Sequence, residues 1–152
     1  MSHIVTGKAK LKDVDALERA VAELNKLHNN QVKLLRNACP RYFYGEGPQC
    51  DFVIKLPGRY DLGIRLNKQG EYELVADNEL MGGQYGSDNY GRGDAGRKIL
   101  GEDCRELLKQ YYIQKALMEA EAQGYVGYVH YLDSGAVEVE VAMESQTEAA
   151  GW

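Results

Sequence analysis

Apolar and polar residues roughly alternate from Ile4 to Leu11, a period of two that predicts a first strand. At Lys12-Asp13 the period changes. Val14, Leu17, Val21 and Leu24 then recur at helical spacing, with Leu27 close to the same stripe. Asp13 is placed to cap this helix, and Asn29-Asn30 tolerates the left-handed turn that ends it. Gln31 to Leu35 reads as a second strand, ahead of an irregular stretch around Pro40.

In the middle of the chain three alternating runs follow one another closely. Phe52, Ile54 and Leu56 form the first, Tyr60 to Leu66 the second and Tyr72 to Ala76 the third, with turns at Pro57-Gly58 and Lys68-Gln69-Gly70. Such spacing predicts an antiparallel meander with one buried and one wet face. A helix follows within roughly Gly96 to Gln123, frayed near Gly101 and stopped by Gly124. Leu107, Leu108, Tyr111 and Met118 share one side of it, and Ile113, Ala116, Leu117 and Ala120 much of the other. A helix apolar on two sides lies between layers or serves oligomerisation. Tyr125 to Leu132 and Ala136 to Val141 predict a last hairpin.

The expected order is therefore β-α-β-β-β-β-α-β-β, an α+β fold with a mainly antiparallel sheet and two helices packed on one face. One domain over residues 1–142 is expected, with a long Gly- and Tyr-rich loop over 78–96 and a flexible tail over 143–152.

With 152 residues the chain is long enough to bury a real core. A net charge of −5 provides no basic field for a long nucleic acid, although a local patch can hold a small anion. No apolar run approaches the roughly 18–20 residues of a membrane span, and the start lacks the order of a signal peptide. Cys39, Cys50 and Cys104 are odd in number with no C-x-x-C pair, which fits reduced thiols in a cytoplasm, that of a bacterial host for a phage-encoded chain. Eleven tyrosines stand against two phenylalanines and one tryptophan. Half-buried strand positions account for many tyrosines, and binding surfaces also use the phenol.

MSHIVTGKAKLKD, LERAVAEL, DFVIKL, YDLGI, YELVAD, QYYIQKALMEAEAQGY and GAVEVEV together resemble the hypothetical chloroplast reading frame thirty-five family. This family is also catalogued as domain of unknown function twelve fifty-seven, with members in cyanobacteria, plastids and bacteriophages. The resemblance covers roughly Met1 to Val141 and implies a small soluble protein without an assigned activity or catalytic residues. It also implies a shorter, tryptophan-bearing linker after YELVAD. Here that linker is long and rich in glycine and tyrosine, and Arg36 to Gln49 looks elaborated as well. Elaborated loops on a common scaffold are where a specialised binding function sits.

Gly82 to Lys98 contains Gly91, Gly93 and Gly96, which spell G-x-G-x-x-G. The dinucleotide fingerprint needs a strand running directly into the glycine turn and a parallel unit around it. Thirteen residues separate Asp77 from Gly91, and the neighbouring strands read as antiparallel, so that fold is not expected. A narrower reading survives. Glycine N–H groups ahead of a helix can face an anion, with Arg92, Arg97 and Lys98 as cations and Tyr85 and Tyr90 as stacking surfaces. Arg41 and Tyr44, in RNACPRYFYGEG, repeat the theme of arginine beside aromatics, against the plainer reading of a loop that buries Tyr42 and Phe43.

His3, His28, His130 and the cysteines show no metal-ligand spacing, and neither Cys39 nor Cys104 has a visible base beside it. Asp51, Asp61, Glu73 and Asp77 are expected on the sheet's solvated face with Lys55 and Arg65. The sequence thus points to a non-catalytic binder, with no metal or cofactor, probing a nucleotide-like phosphorylated molecule through Arg41, Tyr44, Tyr85, Tyr90, Arg92, Arg97 and Lys98. A homo-oligomer is expected. If the source is a phage, such a binder can sequester a host immune-signalling nucleotide. The competing readings are an adaptor that docks on a partner protein and a small hydrolase using the sheet carboxylates.

Overall fold

The computed structural model describes residues 4–42, 45–77, 94–134 and 136–143, and side chains from Leu11 onward other than that of Asp94. Strand β1 (Ile4–Leu11) leads into helix α1 (Val14–Leu27), followed by β2 (Lys33–Ala38) and a small pair, β3 (Arg41–Tyr42) and β4 (Gly45–Glu46). The meander is β5 (Cys50–Lys55), β6 (Leu62–Leu66) and β7 (Tyr72–Asp77). Helix α2 (Asp94–Leu100), a 3₁₀ turn (Glu102–Cys104), α3 (Arg105–Ala122) and a hairpin of β8 (Tyr125–Tyr131) and β9 (Val137–Met143) complete the chain. Five strands form one sheet in the order β1-β7-β6-β5-β2, with every neighbouring pair antiparallel. The fold is α+β.

Helix α1 forms where its apolar stripe predicts. Ala16, Leu17, Ala20, Val21 and Leu24 are buried against Phe52, Ile54, Leu62, Ile64, Leu74 and Ala76 of the sheet. Each fully buried leucine or isoleucine contributes on the order of 1.5–3 kcal/mol. The Asp13 carboxylate caps α1 by accepting from Ala16 N at 3.1 Å. That bond, aided by Lys115 Nζ at 3.3 Å, holds the Asp13 carboxyl below its ordinary pKa despite partial burial. The Tyr111 hydroxyl on α3 accepts from Lys12 N at 3.1 Å and Asp13 N at 3.0 Å, so α3 is stitched to the start of α1.

The meander departs from expectation on its second face. Val53 and Val75 are fully buried there and Gly63 is buried between them, under a second cluster with Tyr42, Cys50, Leu35 and Ala38. Ala38, Tyr42 and Cys50 fold over this face and keep water from it. Gly63 permits the approach: a Cβ there would lie 2.6 Å from Cys50 Sγ and 3.1 Å from Pro40 Cγ. Asp61 and Asp77, expected in solvent, are 3% and 0% exposed.

The expected long helix is divided. Gly101 takes φ +78°, and Asp103 and Cys104 are also left-handed, so α2 and α3 are separate helices. Helix α2 starts at Asp94, inside the loop expected over 78–96, and inserts Ile99 and Leu100 into the main core. The remainder of that loop, 78–93, and the tail over 144–152 lie outside the described residues. Met143, expected in the tail, closes β9.

Helix α3 is apolar on two sides because it is sandwiched. Leu107 and Tyr111 enter the main core. The opposite side carries the β8–β9 hairpin, which belongs to neither of the other sheets. Gly127 of β8 sits directly on Leu117, where any Cβ would overlap the leucine, and Gln110 Nε2 donates to Tyr131 Oη at 3.3 Å. No helix among the described residues is long and apolar enough to cross a membrane.

Candidate functional site

Strand register brings Asp61, Asp77 and Lys55 to one end of the sheet, since Gly63 pairs with Val75 and Lys33 with Lys55. The chain between β5 and β6 turns there through Pro57-Gly58. Arg41 of β3 crosses the second face and reaches the same place. Its Nε and Nη2 donate to Asp61 Oδ2 and Oδ1, both at 2.8 Å, in a two-pronged pair. Nη2 also donates to Leu56 O at 2.7 Å and Nη1 to Gly58 O at 2.8 Å. Asp61 accepts further from Arg41 N at 3.0 Å and Leu56 N at 3.2 Å. The hydrogen bond to Asp61 raises the Arg41 pKa, against an opposing effect of burial. Four of five guanidinium N–H groups are thereby committed to the turn.

Helix α2 joins this neighbourhood from the other side. A Cβ built on Gly58 would lie 3.8 Å from the Ala95 methyl, so the first turn of α2 rests on the Pro57-Gly58 turn. The segment 78–93 leaves the sheet at Asp77, the last residue of β7, and returns at Asp94. Tyr42 stands close by. Burial pushes its phenol up to about 12, with Cys50 and Asp77 adding to the shift. Its hydroxyl is buried without a hydrogen-bond partner among the described residues.

Of the residues singled out by sequence, Arg41 is found in this clasp rather than pointing at solvent. Arg97 and Lys98 fall in the last turn of α2, Arg97 half-buried and Lys98 exposed. They sit at the end of α2 away from Asp94. Tyr44, Tyr85, Tyr90 and Arg92 lie outside the described residues. Arg59, which sequence reasoning passed over, projects exposed from the turn against which Ala95 packs. A proline-glycine-arginine turn closing a meander is the signal that marks it.

The sheet carboxylates are committed to separate tasks. Asp51 accepts from Leu66 N at 2.7 Å, Glu73 pairs with Arg65 at 3.7 Å and Asp61 holds Arg41. Burial pushes the Cys104 thiol up to about 12 and also raises Cys50. Among the described residues no group of His, Cys, Asp and Glu is placed to hold a metal. An open groove of about 440 Å³ lies elsewhere, between α1 and α3, lined by Asp15, Glu18, Arg19, Ala22 and Met118. Two of its charges are engaged: Arg19 with Glu121 at 3.2 Å, and Glu18 with Arg36.

The family model described as "Protein of unknown function (DUF1257)" matches residues 23–130. The chain belongs to this family. Its match runs from α1 into β8, and so takes in the Arg41–Asp61 clasp, α2 and all of α3. Neither the curated proteins nor the solved structures contain a match.

Proposed function

We propose that the chain is a non-catalytic binder of a small, nucleotide-like phosphorylated ligand, held where its two elaborated segments meet. The convergence of Arg41–Tyr42, the Pro57–Arg59 turn, Asp77 and α2 at one sheet end supports this reading. Arg41 serves it by fixing the turn. Arg59 and Lys98, with Arg92 and Arg97, supply charge neutralisation, and Tyr44, Tyr85 and Tyr90 supply stacking. The carboxylates and thiols of this neighbourhood are engaged or held neutral by burial, which favours retention of the ligand over its conversion. In a phage setting, the protein would sequester a host immune-signalling nucleotide.

The test is to mix the purified chain with a nucleotide panel, remove free ligand, denature, and identify the released molecules by mass spectrometry. A binder returns its ligand intact. An altered nucleotide would assign the chain to hydrolysis, and no nucleotide at all would dismiss both small-molecule readings in favour of an adaptor. Arg59→Ala should lower retention at least roughly tenfold while leaving the unfolding midpoint in place, because losing one charge-assisted contact to phosphate removes about 1.5–3 kcal/mol.

A further inference from the structure

Among the described residues, ionisable groups that face each other across the strand ladders pair acid with base, with one exception. Register sets Lys8 and Arg65 opposite Glu73, Arg41 opposite Glu46 and His130 opposite Glu138. Lys33 of β2 instead stands directly opposite Lys55 of β5. Residues so paired have Cβ atoms about 4.5–5.5 Å apart, and like charges there destabilise a sheet. Both lysines are exposed, and neither side chain has an ion-pair partner among the described residues.

The pair belongs to the second face, at the end of the sheet. Lys33 and Lys55 are each two positions from Leu35 and Val53, which lie on that face, as Asp61 and Asp77 are from Gly63 and Val75. The acids are closed to the lysines. Asp61 is 3% exposed and accepts four hydrogen bonds, two of them from the Arg41 guanidinium, and Asp77 is 0% exposed. The turn between β5 and β6 adds a third exposed cation, Arg59. Edge protection does not explain the pair. A lysine on an edge strand discourages pairing with another chain, and β2 is an edge, but β5 is interior and Lys55 guards no edge. A glutamate at position 33 would guard the edge as well and attract Lys55.

We infer that Lys33 and Lys55 form a seat for a diphosphate group, which replaces their repulsion with charge-assisted contacts to both ammoniums. A phosphoryl group carries about −1.5 to −2 charges at pH 7 and three acceptor oxygens, so two linked groups serve both lysines and attract Arg59 as well. A single carboxylate supplies one charge, too little for three cations. The seat lies at the sheet end where the nucleotide-like ligand is proposed. It needs no base, however, and stands on the lysine pair without that reading.

The probe is inorganic pyrophosphate, titrated calorimetrically into the full chain without divalent metal and against sodium chloride of equal ionic strength. Wild type should bind it with a Kd below about 1 mM. Lys33→Glu turns a repelling pair into an attracting one. Its urea midpoint without pyrophosphate should rise by about 0.1 M or more, while its pyrophosphate affinity falls at least roughly tenfold. Lys55→Gln should also weaken binding and relieve the repulsion. A gain in stability together with a loss of binding excludes unfolding as the cause. Wild type that ignores pyrophosphate, variants that bind it within about twofold of wild type, or a lowered midpoint in Lys33→Glu would each overturn the inference. Pyrophosphate bound while every nucleotide of the panel is refused would uphold the seat and dismiss the nucleotide reading. A nucleotide retained equally by wild type and Lys33→Glu would overturn the seat and keep that reading.

Discussion

Arg41→Ala separates two jobs an arginine can do in a ligand-binding protein. In the structure Asp61 is 3% exposed and accepts four hydrogen bonds, of which two come from the Arg41 guanidinium. Truncation leaves the carboxylate with only the Leu56 and Arg41 backbone N–H groups. It also removes the donors for the Leu56 and Gly58 carbonyls. Breaking a buried pair from one side costs about 3–5 kcal/mol. The Arg41 side chain is 40% exposed, so water re-enters along one flank and the loss falls to about 2–3 kcal/mol. With a urea slope of about 1–3 kcal/mol/M, the midpoint should drop by about 0.7–3 M. Arg41→Lys keeps the charge but not the two-pronged geometry, and should lose about half as much.

The assay is urea unfolding followed by circular dichroism and by tyrosine fluorescence, at neutral pH and moderate salt. A guanidinium reserved for ligand would behave differently. Its removal would leave the midpoint within about 0.2–0.5 M of wild type, depending on the slope, since surface substitutions stay within about 0.5 kcal/mol, and would change ligand retention alone. That result would refute the assignment of Arg41 to the Pro57-Gly58 turn.

Three further outcomes follow from local geometry. Asp13 has a folded-state pKa below 3.8, so its stabilising effect is full above that value and fades as pH falls through the lowered folded-state pKa. Asp13→Ala should cost about 1 kcal/mol at pH 7 from the lost cap, and Asp13→Asn should keep most of the cap while flattening the acid limb of stability against pH. Gly63→Ala should destabilise by about 1–3 kcal/mol in the same urea assay, because its methyl would lie 2.6 Å from Cys50 Sγ and 3.1 Å from Val75 O. Thiol titration at pH 8 should label one group rapidly in the folded chain, Cys39. Cys50 and Cys104 are buried, with thiols whose pKa burial raises, and should react only after unfolding.

Periodicity carried most of the scaffold. The stripe from Val14 to Leu24, the Asp13 cap and the left-handed Asn29-Asn30 ending are all present, because each is decided within a few residues. The second sheet face was legible too, but read wrongly. Leu62-Gly63-Ile64 and Leu74-Val75-Ala76 are continuous apolar runs, and such runs signal strands covered on both sides. What hides the cover is its origin in residues 38–42 and 45–50, whose polar, aromatic and proline composition reads as a loop. Where residues are placed by long-range partners, periodicity gives no guide. Asp61 lies 20 positions from Arg41 and is buried by it, and no local pattern separates it from the exposed Asp51.

The arginines at the sheet end divide according to what each finds nearby. Arg41 meets a carboxylate already sealed beneath the β3 strand, and satisfying it consumes nearly all of the guanidinium's donors. Arg59, on the turn that Arg41 fixes, is exposed and has no buried carboxylate partner among the described residues. A binding site needs both kinds of residue. A fixed frame lowers the ordering entropy that a ligand must offset, and exposed cations on that frame contribute the attraction. The turn between β5 and β6 lies within the region matched by the family, and β7 ends at Asp77 and α2 begins at Asp94 beside it. For the proposed binder, the donors that the scaffold leaves exposed at this end are the ones to test, and Arg59 is the first of them.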